Sequence, residues 1–146
     1  MNNITIAFPV SYDTLHYEAV CCLLRQLTTR DVVFTPEDYI KLTSSPYSKL
    51  FLLLCDDKVM GMLTVGMYLS PTGSKAWIED VVVDESQRGS GLGRMLVEHA
   101  IEYCKKEGVD TLYLTSNPKR IVANGLYQSV GFDRKETNMY KMDLKK

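Results

Sequence analysis

The run from Arg88 to Arg94 alternates Gly89, Gly91 and Gly93 with Ser90 and Leu92, and has an arginine at each end. Backbone without β-carbons lets an anion sit directly on the N–H groups of a helix N-terminus. Those groups lack intrahelical partners and carry partial positive charge. Arg88 and Arg94 would add charge at the rim. Glycine also serves ordinary strand-to-helix turns, so at this level a phosphate cradle and a basic turn both stay open. The spacing excludes two familiar alternatives. A P-loop needs a Gly-Lys-Ser/Thr ending, and no lysine follows here. The dinucleotide fingerprint needs a further G-x-x-G, whereas Gly93 is followed by Arg94-Met95-Leu96.

The elements around this run must position it. Residues 76–83 read as a strand entering the glycines, and residues 91–106 as a helix with an apolar stripe at Leu92, Leu96, Ala100 and Tyr103, with Gly108 as its C-cap. Upstream, residues 4–10 form a short β-rich run. Residues 16–27 carry apolar side chains at helical spacing. Thr35-Pro36-Glu37-Asp38 starts a second helix that ends near Leu42, with threonine as N-cap and proline at N1. Residues 50–56 and 59–69 form a hairpin around Asp57-Lys58, with Gly61 and Gly66 as bulge or close-approach points. Pro71 to Ser74 reads as a loop. Downstream come a strand at 111–115, a helix at 118–130 capped by Asn117 and closed by Gly131, and a final strand at 139–144. One more short strand is a candidate at 132–134. Antiparallel strands followed by strand–helix units make an α/β (α+β) fold. We expect a single, mixed, mainly antiparallel sheet of six to seven strands flanked by about four helices, in one domain spanning residues 1–146.

Bulk properties narrow the partners. The chain of 146 residues has 45% hydrophobic and 24% charged residues and a net charge of −1. That balance speaks against a nucleic-acid footprint. The cysteines at 21, 22, 55 and 104 include no C-x-x-C and suggest neither a zinc site nor a disulfide framework. Without a signal peptide or a long apolar run, a cytoplasmic location away from membranes is expected, and no metal. The seven methionines fill core or line a pocket.

Two segments together carry a family resemblance. WIEDVVVDESQRGSGLGRMLVEHA, residues 77–100, resembles the acyl-coenzyme-A-binding segment of the GCN5-related N-acetyltransferases (GNAT). NPKRIVANGLYQSVGF, residues 117–132, resembles that family's A-x-x-L-Y-x-x-x-G-F hallmark. The likeness is strong over residues 75–132, and elsewhere lies in the order of elements alone. The wording IEDVVVD is most similar to members acting on small amines such as amino sugars. The resemblance implies an N-acetyltransferase that moves an acetyl group from acetyl-CoA directly to a primary amine of a small molecule or peptide, in a ternary complex. Two alternatives remain: a non-catalytic CoA-binding module of the same fold, and a basic turn with no cofactor.

Residue roles follow from that resemblance. Backbone groups of Arg88, Gly89, Ser90, Gly91, Leu92, Gly93 and Arg94 would hold the pyrophosphate. The strand at Val81, Val82 and Val83 would pair with the pantetheine arm. Val81 and Val83 are expected on the face of Glu79 by the two-residue strand period. Their side chains also suit plain core packing. Glu79, flanked by Trp77, Ile78 and Val81, would be a partly desolvated general base acting through water, with Asp80 as the fallback. The next strand reads TLYLTS and offers no acid. Tyr127 matches the family's tyrosine, whose phenol can protonate a departing thiolate. Relatives carry an asparagine seven residues before it, where this chain has Arg120, so Arg120 or Asn124 would make the pantetheine or phosphate contact. His99, beside Glu98, reads as a surface residue, and His16 as a residue near the substrate region. Dimers are common among relatives, which leaves a homodimer open.

Overall fold

A computed structural model describes residues 3–145. They divide between Thr115 and Ser116 into two compact units. The first holds five strands and three α-helices. In chain order these are β1 (Ile4–Ala7), α1 (Thr14–Leu27), α2 (Pro36–Ser44), β2 (Ser48–Cys55), β3 (Lys58–Ser70), β4 (Gly73–Val83), α3 (Leu92–Lys106) and β5 (Thr111–Tyr113). The sheet order is β1-β2-β3-β4-β5. Every pairing is antiparallel except β4 with β5, which is parallel.

Local sequence explains these elements. Asp13 caps α1, accepting from the backbone N–H groups of Leu15 and His16. Thr35 and Asp38 form a reciprocal capping box on α2, with Pro36 at N1, so orphan donors are satisfied at both ends of the exchange. Asp56 and Asp57 both adopt positive φ, 49° and 67°, and turn β2 into β3. The expected turn at Asp57-Lys58 therefore lies one residue earlier, because a two-residue hairpin needs left-handed conformers that aspartate tolerates better than lysine. Pro71 and Thr72 turn β3 into β4 between paired Ser70 and Gly73, so half of the expected four-residue loop, Gly73 and Ser74, is ladder.

The sheet is covered on both faces. Val20, Leu23 and Tyr39 of α1 and α2 cluster with Leu50, Leu52, Met62 and Val82. On the opposite face α3 buries Leu96, Val97 and Ala100 completely, and the Phe51 ring lies 5.0 Å from His99 and 5.1 Å from Tyr103. Gly61 is a close-approach point as expected: a Cβ there would stand 3.1 Å from Leu96 Cδ1 and 3.2 Å from the Val82 carbonyl oxygen. At Gly66 a Cβ would meet nothing.

The second unit contains α4 (Ile121–Ser129). Two expectations fail here. The helix begins at Ile121 rather than Pro118, because Asn117 closes a separate turn: its Oδ1 accepts from Lys119 N–H and its carbonyl from Arg120 N–H. The strands expected at 132–134 and 139–144 are absent from the described residues, so the sheet has five strands and not six or seven. Two-residue alternation makes a segment strand-competent, but a strand exists only where a neighbour supplies the ladder.

Candidate active site

The site is built on β4. Thr64 of β3 lies opposite Glu79, and Met62 opposite Val82, with the register slipping by one residue between them. Residues two apart on β3 share a face, and so do residues directly opposite across the ladder. Glu79 and Val82 therefore face α1 and α2, whereas Val83, paired with Gly61, faces α3. The expectation that Val81 and Val83 share the face of Glu79 is thus incorrect. A β-bulge at Asp80, whose φ is +54°, inserts a residue and inverts the alternation. An aspartate, a poor strand former, inside the strand ahead of three valines was the signal available for it.

Glu79 is exposed, yet its carboxyl is pushed above the usual range, first by partial burial and then by the charge of Asp80. Trp77 lies on the same face. It stacks on Tyr113 at 4.9 Å and donates its indole N–H to the Tyr68 hydroxyl at 3.4 Å. This aromatic surface beside the carboxylate had no periodic signal, because its members come from three different strands.

Beyond Glu79 the strand has an open side. β5 pairs with β4 only at Lys75, Ala76 and Trp77, while β4 continues to Val83. Among the described residues no strand pairs with β4 on that side after Trp77. Because Val82 pairs with Met62, the backbone groups of this open length that alternate away from β3 are those of Val81 and Val83.

This edge runs straight into the glycine turn. Asp84 caps a short 3-10 turn at Glu85–Gln87. Hydrogen bonds from the Ser86 hydroxyl and the Gln26 amide hold its carboxyl below the usual range. Gln26 also accepts from Glu85 N–H at 2.9 Å, tying α1 to the turn. Sequence reasoning missed this brace, since an isolated glutamine carries no motif. Arg88 donates through Nε to the Val83 carbonyl at 3.0 Å, and Ser90 donates its hydroxyl to the Gln87 carbonyl at 2.6 Å. Gly89 and Gly91 have φ of +86° and +82°, and a Cβ at either would point into open space. Gly91 is the N-cap of α3 without any side-chain cap. The first helical bond there runs from Met95 N–H to the Gly91 carbonyl, which leaves Leu92 and Gly93 N–H with no helical acceptor. Leu92 meanwhile buries its side chain in the core. Arg94 pairs with Glu98 at 2.8 Å on the exposed first turns of α3. A pyrophosphate fits this cradle, with bare backbone, open space above it and a helix dipole behind it.

In the second unit Tyr127 is the buried residue of α4. Burial raises its phenol above the ordinary value, with Arg120 opposing that shift. Its ring meets Phe132 edge-on at 6.3 Å, and its carbonyl accepts from Phe132 N–H. Asn124 donates from its amide to the carbonyls of Asn117 and Arg120, at 2.9 and 2.7 Å, so it braces the turn that precedes α4. Arg120 is the N-cap of α4 without a side-chain cap bond.

The family model described as the acetyltransferase (GNAT) family matches residues 17–132, which runs across both units. The chain belongs to the GNAT acetyltransferase family. Its β4 edge and glycine turn both lie within the matched residues. This GNAT chain is 35% identical over 88 residues to the mycothiol acetyltransferase of Renibacterium salmoninarum, covering 58% of the chain and 26% of the relative. It is 39% identical over 59 residues to the [ribosomal protein bS18]-alanine N-acetyltransferase of Escherichia coli strain K12, covering 40% of each. The aligned part thus spans well under half the length of these relatives. Among solved structures, the glucosamine-6-phosphate N-acetyltransferase of Arabidopsis thaliana superposes with a TM-score of 0.79 at 23% identity, covering 96% of this chain and 98% of that one. That likeness is one of fold.

The remaining sequence candidates separate cleanly. His99 is half-buried against Phe51 rather than a surface residue, and burial, then the charge of Lys106, lowers its pKa. The four cysteines are free, and burial pushes the Cys104 thiol up to about 11. No helix among the described residues is long and apolar enough to cross a membrane.

Proposed function

We propose that this chain is an acetyl-CoA-dependent N-acetyltransferase acting on a primary amine. The observation that carries the reading is the partnerless length of β4 leading directly into the positive-φ glycine turn at the head of α3. Acetyl-CoA supplies an acyl thioester and a long, strand-like arm ending in a pyrophosphate. Backbone of Val81 and Val83, on either side of Val82, holds the arm, and the turn from Arg88 to Arg94 holds the phosphates. Neutralising charge comes from the two arginines. Holding donor and amine together in one complex supplies the proximity that such a transfer needs.

Glu79 is the proposed base. Its raised carboxyl is a better proton acceptor than an ordinary glutamate, and its exposure allows an intervening water. Tyr127 is the proposed acid, a phenol protonated at neutral pH whose burial raises it further above its ordinary value. The thiols of Cys55 and Cys104 are buried and pushed upward by that burial, which makes these two poor candidates for an acyl-enzyme nucleophile. Free cysteines support a reducing, cytoplasmic location. The acceptor class is a small-molecule or peptide amine, in line with the relatives named above.

Two measurements on one sample test this. Coenzyme A should raise the melting temperature, since a ligand of the folded state stabilises it. Release of free thiol from acetyl-CoA should then accelerate with at least one member of a panel of amino sugars, polyamines and N-terminal peptides. Binding without turnover on every amine would leave only a CoA-binding module, and no thermal shift at millimolar coenzyme would reject the cradle itself.

A further inference from the structure

Near the β3–β4 turn the two faces of the sheet differ. On the α3 face Val65, Ala76 and Ile78 are buried. On the other face α1 and α2 cover Leu50, Leu52, Met62 and Val82. The next row crosses four strands, as Ser48 on β2, Gly66 on β3, Trp77 on β4 and Tyr113 on β5, and each of the four is only partly buried. Gly66 leaves a gap in that row. A Cβ there would meet nothing, and its φ lies outside the left-handed region, so neither crowding nor backbone shape calls for glycine.

The gap is a slot with an aromatic wall. Tyr113 stacks on one face of the Trp77 indole at 4.9 Å and 23°. Because β5 and β3 flank β4 on opposite sides, the second indole face looks across Gly66. Tyr68 closes one end, its hydroxyl accepting the indole N–H, and Glu79 stands at the other. Trp77 and Ser48 are two strand spacings apart, about 9.5 Å. One flat ring fits between them, about 3.5–4 Å from the wall on each side.

We propose that this slot holds the aromatic ring of the acceptor, which makes the acceptor an arylalkylamine: a primary amine on a short alkyl arm of an aromatic ring. The inference rests on the acetyl-transfer reading with Glu79 as base. Trp77 and Glu79 are two residues apart on one face, about 7 Å. A two-carbon arm and one bridging water span that length and set the ammonium beside the charges of Glu79 and Asp80. Glu79 takes a proton from the ammonium through the water, and the freed nitrogen bonds to the acyl carbon as the C–S bond breaks. The sulfur leaves with the proton of the proposed acid, which the second nitrogen proton replaces. Lys75, next along the row, is turned back onto the hydroxyls of Ser70 and Thr72. A linear polyamine would leave the indole face uncovered, and an amino sugar would set hydroxyls against it without a hydrogen-bond partner.

Trp77 is the only tryptophan, so its fluorescence reads the slot without turnover. Phenethylamine is expected to change that emission saturably, and to be acetylated with a KM about tenfold below those of putrescine and glucosamine. Gly66→Val fills the gap with a good strand former. It should abolish the emission change and raise the phenethylamine KM about tenfold, the worth of one stacking contact, while coenzyme A still raises its melting temperature. An emission change that survives Gly66→Val, or a KM for putrescine or glucosamine as low as for phenethylamine, overturns the slot. So does a wild type that is stabilised by coenzyme A and acetylates other amines but neither binds nor acetylates phenethylamine, and that result leaves the acetyltransferase reading standing. A saturable emission change lost in Gly66→Val, with no amine acetylated, keeps the slot and overturns the transfer reading instead.

Discussion

Asp80 holds a left-handed conformation, φ +54°, inside β4, where a β-carbon costs roughly 1–2 kcal/mol. That strained bulge turns Glu79 toward α1 and α2 and sets a negative charge beside it. Because the Glu79 carboxyl must lose its proton to act as a base, activity should rise with pH through a value above the ordinary carboxylate range. Asp80→Asn removes the neighbouring charge and keeps a residue that tolerates the conformer. Its acidic limb should move to lower pH while the maximum rate changes little, as a kcat/KM profile will reveal. An unshifted limb would assign that limb to another group. Tyr127→Phe deletes the proposed acid without changing shape. Turnover should drop by about 10²-fold and the basic limb of the profile should vanish, with melting temperature nearly unchanged.

Elements carry the cofactor argument. In the segment joining β4 to α3, φ separates stability from binding. Gly91→Ala places a Cβ in open space, so its cost to folding is the left-handed penalty alone, about 1 kcal/mol. The same methyl projects from the helix N-cap that the pyrophosphate would approach. KM for acetyl-CoA should therefore rise by more than the small loss of melting temperature suggests, and an unchanged KM would place the phosphates elsewhere. Most elements were readable beforehand, for reasons that particular residues supply. Thr35-Pro36-Glu37-Asp38 is a cap written in four consecutive positions. Gly89, Gly91 and Gly93 mark a turn that side chains would obstruct. The bulge was not readable, since it depends on how β3 and β4 match in register. Neither was the brace from Gln26 to Asp84, which joins residues 58 positions apart. For α4 the Asn117-Pro118 signal was real but was used to close a turn ahead of the helix.

At the scale of the molecule, stability should depend on pH through α3. His99 is half-buried against Phe51, and burial with the charge of Lys106 lowers its pKa below the unfolded value near ~6.5. The unfolded chain then binds that proton more readily than the folded one. Stability is therefore fully present above the unfolded pKa and is lost as pH falls below it. Between pH 7.5 and 5.5 the wild type should lose more melting temperature than His99→Gln, and parallel losses would assign the effect to other groups. Taken alone, the sequence determined what is local or periodic: the helix caps, the amphipathic stripes, the strand that enters the glycines, and the paired hallmark segments that point to acetyl-CoA. Only the tertiary structure decided which face Glu79 occupies, where β4 loses its partner on the β5 side, and that residues 139–144 form no strand within the described fold. Those outcomes depend on what lies across a ladder, and a ladder partner is set by packing between distant parts of the chain.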